Sequence, residues 1–283
     1  MVEPLRYAAF TLDGRGGNPA GVVLDARGLA EAQMQSVAAD LGYSETAFLT
    51  PRPDQPNVYD VRYFAPLQEV PFCGHATIAA AVALAERVPA DEMIFHTPAG
   101  LVTVNTETLE DGVTAELTSV TPHIDPPPEG LVATVLDGLR WSGSDLDDRY
   151  PPVLAYAGAQ HLILVTHSRQ RLATLAYDFD ALAALMREHG LITVALLWQE
   201  SRKNWVARNV FAGSGVVEDP ATGGAAAAFG GYLRELGKIG RLGKRSSFTI
   251  TQGAEIGRPS LIEVSVIGGE PGIRVKGTAS LIP

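Results

Sequence analysis

Two segments of this 283-residue chain repeat one pattern at an offset of 149 residues. The segment EVPFCGHATIAAAVAL begins at Glu69, and EDPATGGAAAAFGGYL begins at Glu218. The Glu, Pro and Gly of the first segment recur in the second, whereas the matching alanines mean less because alanine is common in both. A period this long is outside the range of solenoid repeats. The pattern therefore predicts that one ancestral domain was duplicated into two pseudo-symmetric domains.

Each repeated glycine is followed by a predicted helix that is apolar on every face. No charged residue occurs in residues 76–85 or in residues 224–233. A helix with this pattern is buried, and its small side chains let strands approach from all directions. We therefore expect a sheet wrapped around a central apolar helix in each domain. Gly230 and Gly231 each weaken the second helix by about 1 kcal/mol relative to alanine, a cost that burial must offset.

Short β-like runs joined by turn residues rather than helices predict mostly antiparallel sheets and an α+β fold. Four prolines in TPHIDPPPEG, residues 121–130, forbid regular structure and indicate a linker. The predicted domains are residues 1–120 and 121–283, with packing of the last strand on the N-terminal domain as an alternative arrangement. A Pro-rich loop within a single domain is the alternative. The predicted strands cover residues 5–11, 21–25, 46–50, 58–64, 100–105, 113–117, 153–156, 161–166, 192–198, 205–211, 247–251, 262–266 and 273–275.

Charge and cysteine content exclude several classes of protein. Lys and Arg total 22 against 32 for Asp and Glu, a net charge of −10, so nucleic acid and anionic membranes are poor partners. The N-terminal sequence has no basic leader before an apolar run, and we expect a cytoplasmic protein. The single cysteine, Cys73, excludes an intramolecular disulfide and a metal site made of several thiolates. The histidines other than His75 lack metal-ligand spacing, so we expect surface or satisfied core roles for them.

The two Gly-Ala turns are candidate anion sites, because the start of a helix presents unpaired backbone N–H groups and a positive dipole end. If the domains face each other, both turns would hold one small carboxylate. Polar side chains occur at the turns in Cys73, His75, Glu218, Asp219 and Thr222. A purely packing role for the turns is the alternative.

Proton transfer near neutral pH is best matched by His75. In the repeat, His75 aligns with Gly224 and Asp219 aligns with Val70, so neither group has an equivalent in the other half. Cys73 and His75 are two residues apart at a turn, so we expect their side chains to diverge, which disfavours a cysteine hydrolase. No dinucleotide-binding or P-loop motif is complete, and no cofactor is implied.

Four motifs together resemble the phenazine-biosynthesis-like (PhzF-like) family in order and spacing. They are GGNPAGVV at residues 16–23, SETAFL at 44–49, EVPFCGHAT at 69–77 and EDPATGGAA at 218–226. The resemblance implies the diaminopimelate-epimerase-like fold and a homodimeric isomerase that uses neither a metal nor an organic cofactor. It also implies a small carboxylate-bearing substrate and a proton shift between carbons.

Residue roles follow from the same resemblance. Glu45 would take a proton from the substrate and return it elsewhere, with His75 and Asp219 assisting as catalytic residues. Substrate-binding positions would be Asn18, Cys73, Gly74, Thr222, Gly223 and Gly224.

Two departures from the family pattern leave alternatives open. Gly224 stands where the family usually has serine, and Thr222 stands opposite Cys73 where two-thiol epimerases of this fold have a second cysteine. A two-thiol racemase is therefore excluded. The alternatives are an epimerase or racemase that uses Glu45 with Cys73 or His75 as its two bases, and a catalytically silent protein that binds a small carboxylate.

Overall fold

The computed structural model describes residues 3–88, 91–110 and 112–283. The chain divides into two compact units, the first made of Met1–Thr118 with Lys276–Pro283 and the second of Ser119–Val275. Within the residues described, none of the helices combines the length and the apolar character that crossing a membrane would require.

The first unit combines a mixed sheet with two helices. The elements are β1 (Leu5–Ala9), β2 (Asn18–Val23), α1 (Glu31–Leu41), β3 (Glu45–Pro51), β4 (Val58–Phe64), β5 (Glu69–Val70), α2 (Gly74–Ala85), β6 (Glu92–Thr97), β7 (Gly100–Leu109), β8 (Gly112–Thr118) and the C-terminal strand β17 (Arg274–Leu281). Antiparallel pairs join β1 to β2, β3 to β4, β4 to β5, β6 to β7 and β7 to β8, and parallel pairs join β2 to β3 and β4 to β6. Strand β17 pairs with both β1 and β8, which closes the ring of strands.

The second unit repeats the same series of strand pairings. The elements are β9 (His123–Asp125), α3 (Leu131–Gly138), β10 (Val153–Tyr156), β11 (Gln160–Thr166), α4 (Arg169–Ala173), α5 (Phe179–Glu188), β12 (Thr193–Gln199), β13 (Asn204–Phe211), β14 (Val216–Asp219), α6 (Gly223–Glu235), β15 (Arg245–Gln252) and β16 (Ser260–Ile267). Antiparallel pairs join β10 to β11, β12 to β13, β13 to β14 and β15 to β16, and parallel pairs join β11 to β12 and β13 to β15. The same pair types occur in the same order from β1 to β7. The expected α+β class is therefore confirmed.

The two repeated helices begin at the repeated glycines, Gly74 and Gly223. Every residue of α2 after Gly74 is buried, and the helix packs against β1, β2, β3, β7 and β8. Residues 225–233 of α6 are buried as well, and α6 packs against β9, β10, β11 and β16. Small side chains permit this close packing, as the sequence pattern predicts.

The repeated glutamates have a structural role in both units. Arg62 on β4 pairs with Glu69 at 2.6 Å, and Arg208 on β13 pairs with Glu218 at 2.5 Å. The second pair is much more deeply buried, and the Arg208 guanidinium also donates to the carbonyls of Leu172 and Ala173. Glu218, a candidate polar group at the second turn, is thus engaged by Arg208 on the neighbouring strand.

The Pro-rich segment 121–130 is more ordered than the sequence predicts. The three residues between Pro122 and Pro126, His123–Asp125, form β9 and pair antiparallel with β10. The expectation that four prolines forbid regular structure here is wrong, because the prolines flank this strand and leave its N–H groups intact. The sequence patterns also missed β6, whose residues Glu92–Thr97 pair with both β4 and β7.

Glycine at position 231 is required by packing in α6. A Cβ atom placed on Gly231 would lie 2.5 Å from the Cβ of Pro122. We expect Gly231→Ala to lower the free energy of unfolding by about 1–3 kcal/mol, since overpacking outweighs the gain in helix propensity. Urea unfolding measures the change. Gly143→Ala is the matched control, because a Cβ there meets no atom within 4 Å, and an equal loss in both variants would contradict the expectation.

Candidate active site

The start of α2 presents backbone amides that no side chain caps. Cys73 occupies the N-cap position in an extended conformation, with φ of −144° and ψ of 113°. The first helical hydrogen bond runs from the Thr77 amide to the Cys73 carbonyl at 3.0 Å. The amides of residues 74–76 therefore have no acceptor within the helix, and the positive end of the helix dipole lies beside them. This is a favourable place for a carboxylate.

Buried hydroxyl groups hold that turn in position. The Thr77 hydroxyl donates to the Cys73 carbonyl at 2.7 Å, so its oxygen accepts from the Tyr63 hydroxyl, also at 2.7 Å. All three residues are buried. The relay ties the first turn of α2 to β4 and orients the free amides.

Three reactive side chains converge at this turn. Nε2 of His75 lies 3.5 Å from Oε2 of Glu45, the first residue of β3, and 3.4 Å from the hydroxyl oxygen of Ser44. The Cys73 sulfur lies 3.3 Å from Nδ1 of His75. The expectation that Cys73 and His75 diverge is therefore wrong: Cys73 is extended and Gly74 opens the helix, so the chain turns between them and both side chains lie on one side.

This cluster is well shielded but reachable. The Glu45 side chain is 18% exposed and that of His75 is 10% exposed. Glu45 is thus not the ordinary surface glutamate that its local sequence would suggest. An imidazole, a carboxyl and a thiol in one partly desolvated site can exchange protons with each other and with a bound substrate.

The same three side chains could hold a metal ion. One ligand atom from each of Glu45, Cys73 and His75 lies within 4.8 Å of the others. Zn²⁺ accepts S, N and O donors, and Nε2 of His75 lies 3.5 Å from Glu45 Oε2 and 3.9 Å from the Cys73 sulfur. That the site works without a metal stays a prediction.

The second turn has the same backbone form and different chemistry. Thr222 precedes α6 without capping it, and the first helical bond runs from the Ala226 amide to the Thr222 carbonyl at 3.0 Å. The Thr222 hydroxyl donates to Oδ2 of Asp219 at 2.5 Å. Gln252 donates to the Thr222 hydroxyl oxygen and to the Asp219 carbonyl, at 3.0 and 2.6 Å. Asp219 and Thr222 are therefore held in a buried network that Gln252, on β15, completes.

A buried histidine lies beneath Gly224 in the second unit. The Thr193 hydroxyl donates to Oδ1 of Asn209, so its oxygen accepts the Nδ1 proton of His161 at 2.8 Å. Nε2 of His161 has no partner among the residues described, and a Cβ on Gly224 would lie 3.3 Å from it. Burial lowers the pKa of His161 to about 3. We expected a surface histidine or a buried one with all its hydrogen bonds made, and this expectation is wrong for Nε2 of His161.

The predicted site residues fall into two groups. Glu45, Cys73, Gly74 and His75 lie together in the first unit, and Asp219, Thr222, Gly223 and Gly224 lie together in the second. Asn18 is buried at the start of β2, paired in register with Ala9. The roles of these residues, and the idea that one anion contacts both turns, stay predictions.

Sequence reasoning missed Gln252 and His161 as neighbours of the second turn. Both reach it from strands distant in sequence, β15 and β11. In the sequence near the second turn, only the absence of a side chain at Gly224 indicated that a distant side chain could approach the turn.

The whole chain is similar to known isomerases. The chain is 33% identical to the uncharacterized isomerase YddE of Escherichia coli K12, over 97% of this chain and 94% of that protein. It is 31% identical to a trans-2,3-dihydro-3-hydroxyanthranilate isomerase of Pseudomonas chlororaphis, over 87% and 84% of the two chains. These relatives are isomerases, and the chain is an enzyme of that class. It belongs to the phenazine biosynthesis-like (PhzF-like) family, whose model matches residues 7–282.

Solved structures agree with this assignment. A phenazine biosynthesis protein of the PhzF family from Bacillus anthracis superposes with a TM-score of 0.87 at 25% identity, covering 99% of this chain and 96% of that one. A hydroxyproline epimerase from Agrobacterium vitis shares the fold, with a TM-score of 0.67 at 14% identity over 99% and 90% of the chains.

His161 makes stability depend on pH. Its pKa in the folded protein, about 3, is below the unfolded value of about 6.5, so the unfolded state binds the extra proton between these values. This contribution to stability is complete above pH 6.5 and is lost as pH falls. We expect the free energy of unfolding to fall by about 1.4 kcal/mol per pH unit below pH 6 from this residue alone.

Urea unfolding between pH 7 and pH 5 measures that slope. His161→Gln keeps a polar group and cannot titrate, so its slope should be smaller than that of the parent by about one proton. Equal slopes in the two proteins would show that His161 can take up a proton without unfolding.

Proposed function

We propose that this enzyme is a cofactor-independent isomerase that moves a proton within a small carboxylate-bearing substrate by general acid/base catalysis. The observation that carries the proposal is the 3.5 Å approach of Glu45 to His75 beside the uncapped start of α2. The named activity of the Pseudomonas relatives, isomerisation of trans-2,3-dihydro-3-hydroxyanthranilate, supports a carboxylate-bearing substrate.

The proposed reaction begins with the substrate carboxylate on the free amides of residues 74–76. The Glu45 carboxylate takes a proton from a substrate carbon, and the electron pair of that C–H bond delocalises into the adjoining unsaturated system. Protonated Glu45 then returns the proton to another carbon, so the double bond shifts and no atom is gained or lost. The amides stabilise the negative charge that spreads toward the carboxylate in the transition state.

His75 acts beside Glu45 in this scheme. Its Nε2 is near both the Glu45 carboxyl and the Ser44 hydroxyl, so it can stabilise the charged carboxylate and relay a proton. Asp219 is proposed as the second assisting group, held by the hydrogen bond from Thr222.

An epimerase is the second candidate, and the position of Cys73 favours it. The thiol lies 3.3 Å from the His75 ring, and an imidazole at that distance can draw off its proton. Glu45 and the Cys73–His75 pair would then be the two bases of a stereoinversion.

Several further expectations remain proposals. The enzyme would act as a homodimer in the cytoplasm, without a metal ion, and bind neither nucleic acid nor membranes. In each unit the sheet would enclose the apolar helix completely.

Incubation in deuterated water with dihydro-hydroxyanthranilate and a panel of amino acids tests the function. We expect a shifted double bond, with deuterium at the new C–H position to the extent that protonated Glu45 exchanges with solvent before it returns the proton, and a fall in rate of about 10²- to 10⁴-fold in Glu45→Gln. Glu129→Gln is the matched control, since Glu129 is exposed and outside the site, and it should keep the full rate. Absence of both a double-bond shift and proton exchange across the whole panel would contradict the proposed isomerisation.

Two further measurements separate the candidates. Cys73→Ala should keep most of the activity of a proton-shift isomerase but lose that of an epimerase that needs the thiol. Dialysis against EDTA should leave the rate unchanged, and a loss that Zn²⁺ restores would show that Glu45, Cys73 and His75 hold a working metal ion.

A further inference from the structure

A cationic cleft lies in the second unit at the opposite end of α6 from Gly223. It encloses about 700 Å³, within the size range of small-molecule sites. Helix α6 has 13 residues and is therefore about 20 Å long, so the cleft is remote from the Thr222 turn. The cleft residues are Tyr150, Gln199, Arg202, Lys203, Trp205, Leu233, Gly237, Lys238, Ile239, Arg241, Arg245, Ser246, Ser247 and Phe248.

Positive charge is concentrated there against the trend of the whole chain. Five lining residues are cationic and, among the residues described, no Asp or Glu lines the cleft. The cations come from three segments: the β12–β13 turn, the segment after α6 and the first residue of β15. The protein as a whole carries a net charge of −10. Such a local reversal of sign attracts anions to one place.

Four of these cations are not neutralised by the protein. Within the described part of the chain, no carboxylate lies within 4 Å of the side-chain nitrogens of Arg202, Lys203, Lys238 or Arg241. The C-terminal end of α6 offsets only about half of one unit charge. Most of the positive charge therefore remains available to a ligand.

The wall behind the cations is rigid and aromatic. Tyr150, Trp205 and Phe248 are almost fully buried, and the Tyr150 and Trp205 rings meet edge to face at 5.3 Å. Nζ of Lys238 lies 4.5 Å from the centre of the Tyr150 ring, and the Tyr150 hydroxyl donates to Gln199 at 2.9 Å. The hydroxyls of Ser246 and Ser247 add hydrogen-bonding groups at the edge.

We infer that this cleft binds a small polyanion of nucleotide size that carries at least two phosphate groups. Each phosphate monoester carries about −1.5 to −2 charges at neutral pH, so two such groups match the four unpaired cations, whereas one carboxylate does not. Guanidinium groups bind phosphate oxygens in a two-pronged geometry. A long nucleic acid strand fits less well, because the acidic remainder of the surface would repel it.

Titration calorimetry without divalent cations, in about 50 mM salt, tests this site. ATP and pyrophosphate should each bind with one-to-one stoichiometry, adenosine should not bind, and affinity should fall as salt is raised. No heat from ATP or pyrophosphate would overturn the inference. Tighter binding of a single-stranded oligonucleotide than of ATP would overturn it in favour of nucleic acid.

Charge variants place the binding in the cleft. Arg202→Glu and Arg241→Glu should each weaken ATP binding by about tenfold or more. Arg187→Glu, at an exposed position in the last turn of α5 outside the cleft, should change it less than about twofold. Arg202→Gln and Arg241→Gln, which only remove charge, should weaken binding in the same direction if a reversal variant fails to fold. Equal losses in the cleft and control variants would overturn the inference.

Discussion

Burial of a helix made largely of alanine and glycine is the constraint on which both units depend. Strands can pack closely on α2 and α6 because few of their side chains extend far from the helix axis. A ligand cannot reach the buried sides of such a helix, so binding and catalysis are restricted to the helix ends. The proposed proton shuttle lies at the start of α2, and the cationic cleft lies at the end of α6. Both positions follow the helix dipole, with substrate anions at the positive end and protein cations near the negative end.

The two units share one order of strand pairings and differ in their side chains at the turns. The strand pairings of the two units match, and each repeated glutamate pairs with an arginine on the preceding strand, Arg62 with Glu69 and Arg208 with Glu218. Burying the second pair is costly without further hydrogen bonds, and the Leu172 and Ala173 carbonyls provide them. The identity of the glutamates in the repeat therefore reflects this ion pair. Chemistry at the turns depends instead on the positions that differ.

The local sequence pattern predicts those features of the fold that depend on residues close together in the sequence. The starts of α2 and α6, their burial and most strands could be predicted, because glycine, alanine and turn residues act within a few positions. The approach of Cys73 to His75 could not be predicted, because it depends on the backbone changing from the extended conformation of Cys73 to the helix that begins at Gly74. Gln252 and His161 reach the second turn from β15 and β11, and only the folded sheet brings them there. Strand β6 was missed because its apolar run, Met93–Phe95, is only three residues long.

Gly224, which stands where the family usually has serine, and the buried His161 are in contact and are best understood together. A Cβ at position 224 would lie 3.3 Å from Nε2 of His161, so a serine there would crowd the ring slightly and could donate its hydroxyl proton to that nitrogen. With glycine, the ring fits without strain, and Nε2 keeps its lone pair because Nδ1 holds the proton for Thr193. An unpaired buried acceptor is costly, and the depressed pKa of His161 prevents protonation from relieving that cost. Compared with the family serine, Gly224 thus leaves the turn without a hydroxyl and with a neutral acceptor beneath it, while the backbone amides of Gly223 and Gly224 stay in place.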